Sequence, residues 1–281
     1  MTDIQIAFKI VPSVASSNLT LALKSTSGAD PSIASPVYAN INGVEHTLTA
    51  ALSVTVAAAA NTFNSGAAEL ATQAIDYFAY LGYNATEGVV IGFSRIPSAR
   101  RYNDFSATAT NEKYCAISDI SNAAASDAYV VVGRFTATLS AGAGYTWTVP
   151  TFHPGILVQY PIYETRWLSW QPTIVGYSAD PTTDTYQYRV GQDGSVALVL
   201  SETDNGTGNA TTRTYTAPFT SSTTIFSLSS YPLDNGTALA PSLTRINASS
   251  NSWEFAALAD FSGWTNSGNS RMRGSTITII L

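Results

Sequence analysis

The sequence predicts an all-β protein of two antiparallel β-sandwich, jelly-roll-like domains joined by an ordered connector. Only 11% of the 281 residues are Asp, Glu, Lys or Arg, against roughly 25% in an average soluble domain. Ser, Thr, Ala, Asn and Gly alternate with Val, Ile, Leu and aromatics from end to end, as in sheets whose solvent faces are covered by neutral side chains. Turn clusters rich in Gly, Asn, Asp and Pro punctuate these runs at strand-like intervals.

The first strand signal is Leu19-Thr20-Leu21-Ala22-Leu23-Lys24, which puts three leucines on one face and Thr20, Ala22 and Lys24 on the other. Leu48, Ala50, Leu52, Val54 and Val56 repeat the pattern and read as one strand. Between them lie the turn cluster from Ser25 to Pro31 and the Asn42-Gly43 pair, which favours a type I′ hairpin. The run from Gly66 to Ala74 has fair helix propensity, and strand or helix stays open there. Ile75, Tyr77, Ala79, Leu81 and Tyr83 then alternate with Asp76, Phe78, Tyr80 and Gly82, a strand expected to be buried on both sides. Val89 to Ile96 continues the sheet. From Val130 to Leu139 a further alternating strand runs to Ser140-Ala141-Gly142-Ala143-Gly144, and Tyr145 to Pro150 closes a first domain over residues 1–150.

Residues 151–172 break the rhythm with Pro154, Pro161 and Pro172 set among Tyr160, Tyr163, Trp167 and Trp170. Rings so spaced need a surface to cover, so the segment reads as an ordered connector. A second domain over residues 173–281 follows. Its strand signals are Ile174 to Tyr177, Ser195 to Leu200, Thr214 to Phe219, Thr224 to Leu228, Trp253 to Phe255 and Thr276 to Leu281, with a turn-rich stretch at Thr203 to Asn209. The two halves do not repeat one another.

The composition excludes several function classes. A net charge of −6 without a run of Lys or Arg gives no footprint for nucleic acid or anionic lipid. Arg100-Arg101 and Arg271-Met272-Arg273 are the basic clusters, expected to pair with carboxylates or lie in solvated loops. The single Cys115, in an apolar setting, forms no intrachain disulfide and reads as a buried small residue. The first residues lack a basic n-region and a continuous apolar stretch, so the chain is expected to start here without a secretory signal. No apolar run is long enough to cross a bilayer as a helix.

Two stretches resemble segments of tailed-bacteriophage virion proteins, tail fibres especially. One is Tyr129 to Trp147, and the other is Ile162-Tyr163-Glu164-Thr165-Arg166-Trp167-Leu168-Ser169-Trp170-Gln171-Pro172. The second half is similar to the terminal β-sandwich of such proteins through Trp170-Gln171-Pro172, Gly208 to Thr212, Asp234-Asn235-Gly236, Trp264 to Asn269 and Gly274 before the last strand. The resemblance implies a non-enzymatic structural protein located in the virion, of tail-fibre, tail-tip or head-attached type. It also implies a homotrimer bound to other virion proteins, with a host-surface glycan or protein as a further partner. There is no long shaft or heptad run.

Candidate chemistry is sparse, and no catalytic residue, metal site or cofactor is expected. His46 and His153, the two histidines, stand apart, and no Gly-x-Ser-x-Gly or His-Glu-x-x-His pattern occurs. Asp76, Glu87, Asp104 and Glu112 are the carboxylates from which a polysaccharide depolymerase would draw its pair. Asp204-Asn205-Gly206 lacks the full calcium-loop pattern and reads as a hairpin turn. Among five Trp and fifteen Tyr, Tyr231, Trp253 and Trp264 are the candidates for an exposed ligand-binding or interface patch, with core or subunit-interface packing as the other reading of each, while Tyr163, Trp167 and Trp170 mark the connector. The alternatives are a capsid-decoration or head-fibre protein and a carbohydrate-binding adhesin module.

Overall fold

Leu19, Leu21 and Leu23 are completely buried, while Thr20, Ala22 and Lys24 turn toward the surface. This inward leucine row belongs to a computed structural model that describes residues 8–41, 43–56, 74–95, 128–140, 146–154, 164–182, 184–191, 193–229, 232–257 and 263–280. The protein is all-β, with no helix among the described residues. It divides into two compact units, the first ending at Thr165 and the second running from Arg166.

In unit 1 the leucine row lies on β2 (Asn18–Ser25), which pairs with β1 (Phe8–Ala15) and β5 (Leu52–Val56). Ser16 and Ser17, with φ of 49° and 67°, make the two-residue turn between β1 and β2, the primed geometry that suits twisted hairpins. A second hairpin joins β3 (Val37–Ile41) to β4 (Val44–Leu48), with Ile41 opposite Val44 as the Asn42-Gly43 pair predicts. The expected single strand through Leu48 and Val56 is two strands instead. β4 ends at Leu48, and β5 starts at Leu52 in a different sheet.

The second sheet of unit 1 has the order β10 (Thr151–Pro154), β8 (Ala128–Ser140), β6 (Ala74–Asn84) and β7 (Gly88–Ser94), with β9 (Thr146–Trp147) also on β8. Tyr77 through Leu81 are all buried, so both faces of β6 are covered as its pattern predicts. The register on β8 slips between Ala79, opposite Gly133, and Tyr80, opposite Val131, so the strict alternation read from Val130 to Leu139 is interrupted by a bulge at Val132. Tyr77, Phe93, Phe135 and Trp147 form an aromatic cluster with centroids 5.2–6.0 Å apart. β1 lies beside β10 and β5 beside β7, so the two sheets meet along both sides.

Residues 151–154, read from sequence as the start of the connector, form β10 instead, with Phe152 opposite Phe135 and His153 opposite Arg134. The reason is local: β9 already runs back along β8, and the chain continues in the same direction through residues 148–150 into β10. The stretch 66–73, Cys115 and Arg100-Arg101 lie outside the described residues.

Unit 2 is built on two facing sheets. One has the order β11 (Leu168–Ser169), β14 (Asp184–Val190), β15 (Ser195–Glu202) and β24 (Ser275–Ile280). The other has the order β12 (Ile174–Val175), β17 (Arg213–Ser221), β22 (Ser250–Phe255), β21 (Ser242–Ile246) and β18 (Ile225–Ser229). Their inner faces meet through rings. Tyr188 lies edge-on to Phe219 at 5.7 Å, Tyr186 is 6.3 Å from Tyr215, and the Trp170 indole N–H donates to the Thr216 carbonyl at 3.0 Å. Offset and edge-on ring pairs of this kind add stabilisation beyond the area that they bury.

One end of this sandwich carries a small sheet of β13 (Tyr177–Ala179), β16 (Gly206–Gly208) and β23 (Asn269–Ser270). Beside it lies the hairpin of β19 (Leu233–Asp234) and β20 (Thr237–Ala238). Ile174 to Tyr177 is not one strand as expected, because Gly176, at φ +109°, turns the chain from the large sheet into the small one. Asp204-Asn205-Gly206 is not a hairpin turn either: β15 and β16 pair with different partners, and the segment crosses between sheets.

Candidate functional site in unit 2

Val196, Leu198 and Leu200 point into the core of unit 2, and the next inward position on β15 is Glu202. The same phase on β17 places Arg213 inward with Tyr215, Ala217 and Phe219. Strand alternation thus forces an acid and a base into the interior. Neither side chain reaches solvent, each being 0% exposed.

Glu202 accepts a hydrogen bond from the Tyr215 hydroxyl through Oε1 and another from the Met272 main-chain N–H through Oε2. The Tyr215 and Tyr177 hydroxyls are 3.1 Å apart. Arg213 donates to the carbonyls of Ala210, Thr212 and Thr265 and to Ser270 Oγ. Its guanidinium lies 4.8 Å from the Tyr177 ring and 5.3 Å from the Trp264 ring, a cation-π arrangement. Close approach is possible because residues 176 and 208 are glycines. A Cβ on Gly208 would lie 2.2 Å from Arg213 Nη2, and one on Gly176 would lie 2.1 Å from the Thr212 carbonyl oxygen.

Burial pushes the Glu202 carboxyl from 4.5 up to about 8, with Asp184 and Asp204 adding to the rise and the bonds from Tyr215 and Met272 opposing it. Burial also raises the Tyr177, Tyr186 and Tyr215 hydroxyls well above the usual phenol value. The cluster can therefore hold a proton near neutrality inside a closed interior. On the rim, both Asp204 oxygens accept from the Thr182 N–H at 3.0 Å, and Asp184 accepts from the Tyr186 hydroxyl at 2.6 Å. Burial raises the carboxyls of Asp180 and Asp184. Among the described residues no three His, Cys, Asp or Glu side chains are grouped to hold a metal ion.

The aromatics picked out by sequence separate cleanly. Trp253 and Trp264, candidates for an exposed patch, are 0% and 2% exposed and therefore belong to the core. Trp264 donates from its indole to the Phe255 carbonyl at 2.8 Å, and Trp253 packs 4.8 Å from Phe255. Trp253 sits on the inward phase of β22, and Trp264 is turned inward from the irregular segment before β23, neither of which an isolated ring in the sequence reveals. Tyr231 and Tyr163 lie outside the described residues. Trp170 is buried against Tyr186 and Tyr188. Of the five tryptophans, Trp167 alone is exposed, at 42%, with the Arg189 guanidinium 5.3 Å from its ring.

Asp76 is buried in an ion pair with Arg134 at 3.1 Å and accepts from Thr136 Oγ1 at 2.8 Å. Glu87 lies in the turn at the other end of β6. At about 3.3 Å per residue, the eight steps from Asp76 to Asn84 span roughly 26 Å, far beyond the 5–10 Å that glycoside hydrolysis uses. Asp104 and Glu112 lie outside the described residues. His46 stacks on Tyr83 at 4.3 Å.

The fold and this cluster define an all-β sandwich protein with an acid and a base buried, without pairing, in one end of its second unit. No known protein family, curated protein sequence or solved structure matches the chain.

Proposed function

We propose that the chain is a non-enzymatic structural component of a tailed-phage virion, of tail-fibre or attachment type, which self-associates as a homotrimer and presents unit 2 toward the host surface. The observation that carries this reading is the outer face of one sheet of unit 2. The outward positions of β15 are Ser195, Ala197, Val199 and Ser201, and those of β24 are Thr276, Thr278 and Ile280. These two adjacent strands thus present outward positions without charge, and Arg189 of β14 stands at their border opposite Ala197. Covering neutral side chains in a symmetric contact costs far less than covering an unpaired Lys or Glu. The sequence resemblance supplies the virion setting, and the same neutral face suits a capsid-decoration or head-fibre protein. Light scattering over a concentration series tests the reading. Three chains of 29.7 kDa give about 89 kDa, and a protein that stays monomeric at every concentration overturns self-association.

Exposure of Trp167 beside Arg189 favours a second reading, a carbohydrate-binding adhesin module. Exposed indole faces stack on sugar rings. A glycan array with the wild-type chain and Trp167→Ala separates the two, since a ligand lost in the variant supports a sugar platform.

A further inference from the structure

Glu202 has two hydrogen-bond donors and no cation. Tyr215 and the Met272 N–H are its side-chain partners, and Arg213, the buried base nearby, makes no ion pair with it. Nor is Arg213 at liberty to turn toward it. Its N–H groups hold the carbonyls of residues 210, 212 and 265, and its guanidinium is fixed between two rings.

Of the other groups around Glu202, the carboxylates of Asp184 and Asp204 make a negative charge there worse. From β14 come Asp184 and Tyr186, from the segment after β15 comes Asp204, from β13 comes Tyr177, and from β17 come Tyr215 and Arg213. The cations nearby are Arg213, whose charge is already shared with carbonyl dipoles, and Arg271 on the Met272 segment, whose guanidinium donates to the Thr203 carbonyl. An ionised Glu202 is therefore stabilised only by the Tyr215 hydroxyl, which is itself bonded to the Tyr177 hydroxyl, and by the Met272 main-chain N–H. A buried carboxylate with so little compensation is relieved by letting water in.

The bonds of Glu202 show what would move. Its carboxyl and its own main-chain N–H both engage Met272, which belongs to the segment between β23 and β24. That segment also carries Arg271, whose main chain is bonded both ways to Leu233 of β19. We propose that this end of unit 2 is a pH-sensitive latch, in which protonated Glu202 holds the segment before β24 and the small β13-β16-β23 sheet on the sandwich, and loss of its proton to water frees them.

The direction follows from linkage. Glu202 binds its proton more tightly closed than open, so the open form gains over the closed one as pH rises from about 4.5 to about 8. Hydrogen exchange of the full chain between pH 5 and pH 8 tests the latch, with rates corrected for the intrinsic pH dependence. The amide protection of Met272 and Gly208 is expected to fall about tenfold per pH unit, while that of β6 and β8 in unit 1 stays level. Glu202→Gln, neutral at every pH, is expected to abolish the slope. A wild-type slope near zero, or an unchanged slope in the variant, overturns the proposal. Should Glu202→Gln fail to fold, infrared spectroscopy of the wild type decides. A protonated-carboxyl band that disappears in step with Met272 protection supports the latch, and its absence at pH 6 overturns it.

Discussion

Glu202 and Arg213 are both completely buried at one end of unit 2, yet they are joined through Tyr215 and Tyr177 rather than to each other. A direct ion pair would let each charge compensate the other. Here the base is satisfied by carbonyls and rings, and the acid is left to depend on hydroxyl and amide donors. Much of the behaviour expected of unit 2 follows from that separation.

Tyr215→Phe removes one of the two donors to Glu202 without opening a cavity. The loss of a buried hydrogen bond costs about 1–3 kcal/mol, read as a lower midpoint in urea. Because this bond lowers the Glu202 carboxyl, the variant's carboxyl rises further, and the loss of stability with increasing pH extends to higher pH than in the wild type. A variant as stable as the wild type would show that the hydroxyl does not support the carboxyl.

Gly208→Ala and Gly236→Ala form a matched pair. The first places a Cβ 2.2 Å from Arg213 Nη2, whereas the second, at φ +77°, meets nothing within 4 Å. Gly236→Ala is expected to cost about 1 kcal/mol of backbone strain. Gly208→Ala costs about 3 kcal/mol or more, because the guanidinium must leave its carbonyl partners. Urea denaturation of the two variants checks the order, and equal losses would contradict the tight seat described for Arg213.

The Asp76–Arg134 pair in unit 1 is buried on both sides, with side-chain exposures of 0% and 5%. Asp76→Asn or Arg134→Met alone strands the other group and is expected to cost about 3–5 kcal/mol. The double variant is expected to recover part of that loss. Calorimetry of the three variants checks the coupling, and strictly additive losses would rule it out.

On the neutral outer face of β24, Thr278→Lys puts a charge where association would cover it. Its native mass is expected to drop to that of one chain while the far-ultraviolet circular dichroism stays unchanged. An undisturbed oligomer would move the contact to another surface.

Strand identity was legible wherever one face is apolar and the other polar, as in Leu19-Leu21-Leu23, or where both faces are apolar, as in β6. The hairpin at Asn42-Gly43 was legible because that pair is chemically suited to its turn. β1 was not, since Pro12 sits in its middle and its turn is Ser16-Ser17. Pro12 is tolerated because, among the described residues, β1 ends its sheet and has a ladder partner on one side only. The buried cluster was half visible: extending the inward phase of Val196, Leu198 and Leu200 by one step reaches Glu202. What no local pattern carries is that β13, β17 and the segment before β24 bring Tyr177, Tyr215 and Met272 to that carboxyl. Trp253 and Trp264 left patch and core both open for the same reason, because whether a ring is inside or outside is decided by strands far away in sequence.

The side-by-side placement of β1 with β10 and of β5 with β7 in unit 1 has a further consequence for how copies can meet. Each of these outermost ladders has a neighbour from its own chain beside it, so a foreign strand would have to displace that neighbour before it could pair there.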